Sequence, residues 1–238
     1  MVRMARWCSL PILLVPVAAA AQQLDHLELK WMRDSEEYVA IFRQTYALAG
    51  GVVERQARSV ASGTPWAVVL DLDETVLDNT IYQLGRAAYR LAFDTASWNA
   101  WVRRARADTL PGAAGFIAKV RALGGRIIYI SGRDDHTADE TRRNLATLGL
   151  WRESDRLCLD TTDRAYTKRA RREELRTGTG RCAYAGERVR VLAYLGDNIA
   201  DLPAADEEPG ELGVTWFVLP NPAYGGWERR VTRGSRLR

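Results

Sequence analysis

Asp71 and Asp73 stand one residue apart at the end of an apolar, β-branched run, Trp66-Ala-Val-Val-Leu70. A run of this length bounded by acids reads as a buried parallel strand, and open α/β sheets build their sites at the carboxyl ends of strands. Alternate strand residues point to the same side, so both carboxylates are expected to project into one pocket. Neighbouring unpaired carboxylates repel, and a divalent cation relieves that repulsion. One carboxylate can then attack while the other moves a proton. Further polar groups end later strands: Ser131-Gly132-Arg133, then Asp197 with Asp201, while Lys168 opens a basic run. Together they supply what phosphoryl transfer needs: a nucleophile, metal carboxylates, hydroxyl and amide donors, and a fixed cation. Singly they are weak. Asp-x-Asp is often a turn or cap, Ser-Gly is commonly a turn, and a lysine in Lys168-Arg-Ala-Arg-Arg172 is usually a solvated charge. Their order after successive strands is what carries the argument.

The elements that must position these groups alternate as a βα series. Residues Leu24 to Val60 have a helical pattern, with Trp31, Tyr38, Ile41, Phe42 and Ala49 as its apolar stripe and Gly50-Gly51 as an interruption. After the first strand come a helix opened by Pro111-Gly112 and a strand at Arg126–Ile130. A helix from Ala138 to Leu148, a strand from Arg156 to Leu159 and a basic helix from about Thr167 to Leu175 follow. Val189 to Leu195 and Thr215 to Leu219 complete five parallel strands, which implies an α/β, doubly wound, three-layer fold. Residues 76–110 are too long for a simple crossover and are read as a small helical cap.

Composition narrows the choice. The 238 residues suit one α/β domain, and 47% hydrophobic residues are enough for a sizeable core. A net charge of +4 favours small anionic substrates but is too weak and dispersed to argue for nucleic-acid binding. With His26 and His136 as the only histidines, histidine phosphatases, zinc hydrolases and most Ser-His-Asp arrangements lack parts. The Cys158-to-Arg164 spacing matches a cysteine phosphatase, yet the intervening residues hold no glycine and two acids that would repel phosphate.

The first 21 residues have the pattern of a signal peptide: Arg3 and Arg6, an apolar stretch from Leu10 to Val17, and small residues from Ala18 to Ala21. The stretch is shorter than the roughly 20 residues of a membrane span. The expectation is therefore a domain over 22–238, periplasmic or secreted, with no stable membrane insertion. Cys8 precedes the apolar stretch, where a lipid-anchoring cysteine would not stand. Cys158 and Cys182 remain, either bridged in an oxidising compartment or buried separately as thiols. The tail from Arg229 is basic and reads as a frayed end.

Asp71-Leu-Asp-Glu-Thr75-Val-Leu-Asp78-Asn79, with Gly196-Asp-Asn-Ile-Ala-Asp201, resembles the haloacid-dehalogenase superfamily. The nearer resemblance is to its secreted class C acid phosphatases, the lipoprotein e type of bacterial 5′-nucleotidase. Asp94-Thr-Ala-Ser-Trp98-Asn-Ala-Trp101, Leu110-Pro-Gly112, Lys168-Arg-Ala-Arg171 and Leu219-Pro-Asn-Pro-Ala-Tyr224-Gly-Gly-Trp227-Glu228 extend it over roughly Trp31 to Glu228. The resemblance implies a haloacid-dehalogenase-like Rossmannoid core with N-terminal helices. It implies Asp71 as a nucleophile forming an aspartyl-phosphate and Asp73 as general acid, then base. Mg²⁺ would be held by Asp71, the Asp73 carbonyl and Asp197, with Asp201 orienting Lys168 or a metal water. Ser131 and Lys168 would bind the phosphoryl group, and Thr75 and Gly132 are further substrate-binding positions. Trp98 and Tyr224 match positions that sandwich a nucleobase, a role stacking can fill for any base; ordinary core packing is the other reading of both.

The implied substrate is a small phosphomonoester, a nucleoside monophosphate above all. Broad-specificity hydrolysis, phosphotransfer to an alcohol and a non-catalytic binding protein on the same fold are the alternatives. A binding protein need not retain Asp71, Asp73, Lys168 and Asp197 together. Two departures stand out: the usual lipid-anchor cysteine is absent, and Ser131-Gly132 replaces Thr-Asn while keeping the hydroxyl. The oligomeric state stays open, a homodimer included.

Overall fold

Ser35 divides the amino-terminal helical region. Its hydroxyl accepts the Tyr38 amide at 3.0 Å and so caps α2 (Glu36–Ala57) just after α1 (Leu27–Asp34) ends. The interruption expected at Gly50-Gly51 does not occur, because α2 runs through both glycines. A Cβ on Gly50 would meet the Lys119 side chain at 3.4 Å, so the bare backbone lets α2 pack closely on its neighbour. That packing outweighs a helix penalty of about 1 kcal/mol per glycine. Of the expected stripe, Tyr38, Phe42 and Ala49 are buried, whereas Ile41 is exposed.

The computed structural model describes residues 26–184 and 186–229. The expected signal peptide and the basic tail beyond 229 lie outside the described residues. β1 (Trp66–Leu70) is buried along its length, as a strand covered on both faces must be. An insertion follows: β2 (Leu77–Asp78), α3 (Thr80–Ala88), α4 (Thr95–Arg103) and β3 (Asp108–Thr109). β2 and β3 pair antiparallel, which closes the insertion at its base with a small sheet that the helical reading of 76–110 did not contain. Next come α5 (Ala113–Ala122), β4 (Arg126–Asp134), α6 (Ala138–Thr147), β5 (Arg156–Asp160), α7 (Lys168–Thr177), β6 (Arg190–Gly196) and β7 (Trp216–Val218). β4 extends past the expected end at Ile130, with a register shift between Ile130 and Asp134 where it pairs with β5.

The sheet order is β5-β4-β1-β6-β7, all parallel. Alternation along β1 builds a core on each face. Val68 and Leu70 join a cluster with Phe42, Phe116 and Leu145, while Ala67 and Val69 join one with Leu175 of α7. This is the three-layer, doubly wound arrangement, and it puts β1 between the strands that lead to Ser131 and Asp197. Among the described residues no helix is long and apolar enough to cross a membrane.

Cys158 on β5 and Cys182 beyond α7 form a disulfide, with Cα atoms 5.5 Å apart. The bridge closes a loop over 24 residues of separation that contains all of α7. Cross-linking a loop of this size stabilises by about 3 kcal/mol through the unfolded chain. Reduction, or Cys158→Ser with Cys182→Ser, is expected to lower unfolding free energy by about that amount in a denaturant titration. An unchanged midpoint would show that the bridge contributes no stability.

Candidate active site

Asp71 follows β1 directly, and its amide donates to the Leu195 carbonyl of β6 at 2.9 Å, which fixes the backbone at the sheet's carboxyl edge. The chain then folds back on itself: the amides of Val76 and Leu77 both donate to Leu72 O at 2.8 Å. Glu74 takes a left-handed conformation at φ 55°, uncommon for a residue with a Cβ, and Tyr46 of α2 braces the turn through a 2.7 Å bond to Thr75 O. The turn sends Asp71 and Asp73 to different partners.

The Asp71 carboxylate is buried and accepts from Lys168 Nζ, which also donates to Asp201 Oδ1 at 2.6 Å. Lys168 is the first residue of α7, whose cap is the Thr167 hydroxyl. Asp201 reaches this point because Gly196 makes room: a Cβ there would lie 2.3 Å from the Asp201 Cβ. Its second oxygen accepts the Asn198 amide at 2.9 Å. Asp197 is half-buried, and its Oδ2 accepts from Asn221 Nδ2 at 2.8 Å. Carboxylate oxygens of Asp71, Asp197 and Asp201 all lie within 4.8 Å of one another.

Asp73 has its own surroundings. Arg133 donates to Oδ1 from Nη2 at 2.7 Å and from Nε at 3.0 Å, and Asn79 Nδ2 adds a bond of 2.9 Å. The Asp73 carboxylate is not part of the three-acid group, in which the sequence also expected it as a metal residue. Ser131 is fully buried, its hydroxyl accepting the Arg133 amide at 3.1 Å and lying 3.4 Å from Asp73 Oδ2. Thr75 is fully buried too, its hydroxyl without a hydrogen-bond partner among the described residues.

Above these groups opens a cavity of about 1320 Å³ lined by Asp71, Asp73, Gly132, Lys168, Asp197 and Asp201 at its floor. Ser131 and Thr75, expected to touch substrate, do not line it. Trp98 from α4 and Tyr224 from the carboxyl-terminal segment form part of its walls. Trp98 is half-buried and held edge-on by Tyr82 at 5.2 Å between ring centres. Asn221 connects the wall to the floor, since its Oδ1 accepts the Tyr224 amide at 3.3 Å while its Nδ2 holds Asp197.

The sequence places Arg133, Asn79, Asn221, Arg171 and Arg172 within its motifs but assigns none of them a role of its own. Arg171 is buried against Ser131 O (2.6 Å) and Cys158 O (3.0 Å), and Arg172 bonds Glu207 and the Asp201 carbonyl. The helical spacing of Lys168, Arg171, Arg172 and Leu175 is a signal that could have found them.

A family model described as haloacid-dehalogenase superfamily, subfamily IIIB (acid phosphatase), matches residues 12–227. The chain belongs to this family. Acid phosphatase 1 of Solanum lycopersicum is 25% identical over 156 residues, 66% of this chain and 57% of its own length. The stem 28 kDa glycoprotein of Glycine max is 27% identical over 162 residues, 66% of this chain and 58% of its own. The chain thus spans less than two thirds of the length of these curated relatives. The class C acid phosphatase of Bacillus anthracis superposes with a TM-score of 0.72 at 27% identity, covering 87% of this chain and 86% of that one; it has also been solved with tungstate bound.

Family members of the haloacid-dehalogenase type use a divalent metal, and the three-acid group fits one. All its donors are oxygens, as a hard cation requires. Burial, with Asp201 and Asp197 nearby, pushes the Asp71 carboxyl well above its usual range even though Lys168 opposes this. Burial and then Asp201 push Asp197 up to about 7. Burial works against the charge on Lys168, but Asp71 and Asp201 outweigh it and raise its pKa. A cation entering this group must displace protons that are bound below about pH 7, so its affinity rises with pH. Calorimetric titration with Mg²⁺ is expected to give much tighter binding at pH 8 than at pH 5, and Asp197→Asn is expected to weaken binding at both. Equal affinity at the two pH values would contradict this account.

Proposed function

We propose that this chain is an exported, Mg²⁺-dependent phosphomonoesterase that hydrolyses nucleoside monophosphates through an aspartyl-phosphate on Asp71. The observation that carries the reading is the clustering of Asp71, Asp197 and Asp201, with Lys168 bonded to Asp71 and Asp201, at a cavity also lined by Trp98 and Tyr224. Tungstate, which the Bacillus anthracis relative binds, is a tetrahedral oxyanion like phosphate, and this supports a phosphoryl group at the floor of the cavity. The cavity has room for the base and sugar of a nucleotide as well. The Cys158–Cys182 bridge supports an oxidising compartment.

In the mechanism a carboxylate oxygen of Asp71 attacks phosphorus in line with the leaving group. The phosphorus–oxygen bond to the leaving alcohol breaks, and Asp73 gives that oxygen its proton. Asp73 then takes a proton from water, the water attacks the aspartyl-phosphate, and inorganic phosphate leaves with Asp71 restored. Lys168 supplies positive charge to the phosphoryl oxygens as well as holding Asp71 in place. Mg²⁺, held by Asp71, the Asp73 carbonyl and Asp197, would neutralise phosphate charge that these acids otherwise repel. The insertion over 76–110 acts as a cap that brings Trp98 over the substrate and shields the floor from water.

Asp71→Asn is expected to abolish turnover with the fold intact, because the amide cannot attack; wild-type rates from a purified, folded variant would remove the covalent mechanism. Trp98→Ala and Tyr224→Ala test the substrate class. Stacking contributes about 1–3 kcal/mol per base, so each variant is expected to lose roughly ten- to a hundredfold in kcat/KM for a nucleoside monophosphate. Loss with glycerol phosphate is expected to be slight. Equal loss on both substrates would make these side chains packing groups and the activity a general phosphatase.

A further inference from the structure

We propose that Arg133 is a positioning residue that selects which oxygen of Asp73 faces the leaving group. This rests on the reading of Asp73 as the proton-transfer group. The Arg133 side chain is only 1% exposed, and a buried guanidinium must be paired to be tolerated. It is spent on Asp73: Nη2 and Nε reach Oδ1 at 2.7 and 3.0 Å, Nε lies 3.2 Å from Oδ2, and Nη1 donates to Thr141 at 3.3 Å.

Asn79 strengthens the same bias. Its carbonyl oxygen accepts from Trp101 Nε1 at 2.8 Å, which turns the amide so that Nδ2 donates to Asp73 Oδ1 at 2.9 Å. Oδ1 therefore receives three donors, while Oδ2 has only the longer contacts to Arg133 Nε and, at 3.4 Å, Ser131. Asp73 lines the cavity and Arg133 does not, so the guanidinium stands behind the carboxyl. Oδ2 is the oxygen left to work.

The arrangement serves both half-reactions. With the proton on Oδ2, Oδ1 keeps its three donors, and Oδ2 delivers that proton as the phosphorus–oxygen bond breaks. Afterwards Oδ2 takes a proton from the attacking water with no change in the bonds to Oδ1. Holding the carboxyl in one orientation for both steps removes a rotation from the barrier.

The guanidinium carbon also lies 5.8 Å from the centre of the Trp98 ring, so the test uses two substrates of nearly the same shape. Phenyl phosphate has a poor leaving group that needs the proton; 4-nitrophenyl phosphate has a good one that does not. Asp73→Asn is expected to lower kcat/KM for phenyl phosphate on the order of a hundredfold, and far less for the nitrophenyl ester. Arg133→Gln is expected to show the same discrimination, at least about tenfold, with KM little changed. Equal losses on both esters in a folded Arg133→Gln would overturn the proposal and leave Arg133 a structural ion pair. If that variant does not fold, Arg133→Lys, which keeps charge but loses the fork, decides in the same way: discrimination supports the proposal and equal loss overturns it. Absence of discrimination in Asp73→Asn overturns the proton-transfer reading itself, a separate outcome.

Discussion

Three carboxylates gathered at one point repel one another, and Lys168 holds two of them there while Asn221 holds the third. Lys168 donates to Asp71 and Asp201 together, while Asp197 is held from the other side by Asn221. Removing water from like charges is costly unless opposite charge and hydrogen bonds replace it. Much of the local architecture answers that demand. Gly196 lets Asp201 approach, Asn198 holds its second oxygen, and Thr167 caps the helix that presents Lys168. The disulfide between β5 and the segment after α7 ties that helix to the sheet.

The same principle divides two acids that are almost adjacent in sequence. Asp71 stays with the burial, the lysine and the other acids, whereas the turn through Glu74 delivers Asp73 to Arg133 and Asn79. Two carboxyls with different surroundings can take different roles, one attacking and one moving protons. Neither role follows from residue type alone. The insertion contributes at this second location as well, since Trp101 of α4 orients Asn79 and Trp98 of the same helix lines the cavity.

The parallel sheet was legible because buried strands leave unbroken apolar runs, and β1, β5 and β6 fall within a residue or so of their sequence limits. The Gly50-Gly51 interruption was misread because local propensity favours a break, while close packing of α2 against Phe116 and Lys119 favours continuity. β4 was cut short at Ile130 because its last residues are polar and pass through a register shift. The acids and Lys168 were legible through their order after strands. Their partners were not: Arg133 meets Asp73 across 60 residues of sequence, and Asn221 meets Asp197 across 24, contacts that only sheet assembly creates. The inward turn of Arg171 and Arg172 follows the helical phase of Leu175, although a basic run is more often solvated.

In the proposed reaction Asp71 carries the phosphoryl group between substrate and water. Acid quenching of a single turnover with an excess of enzyme, followed by digestion and mass analysis, tests it most directly. Transient phosphate is expected on the peptide containing Asp71, absent from Asp71→Asn and formed before free phosphate appears. Phosphate released at the full rate with no phosphorylated peptide at any time, or phosphate on another residue, would contradict it.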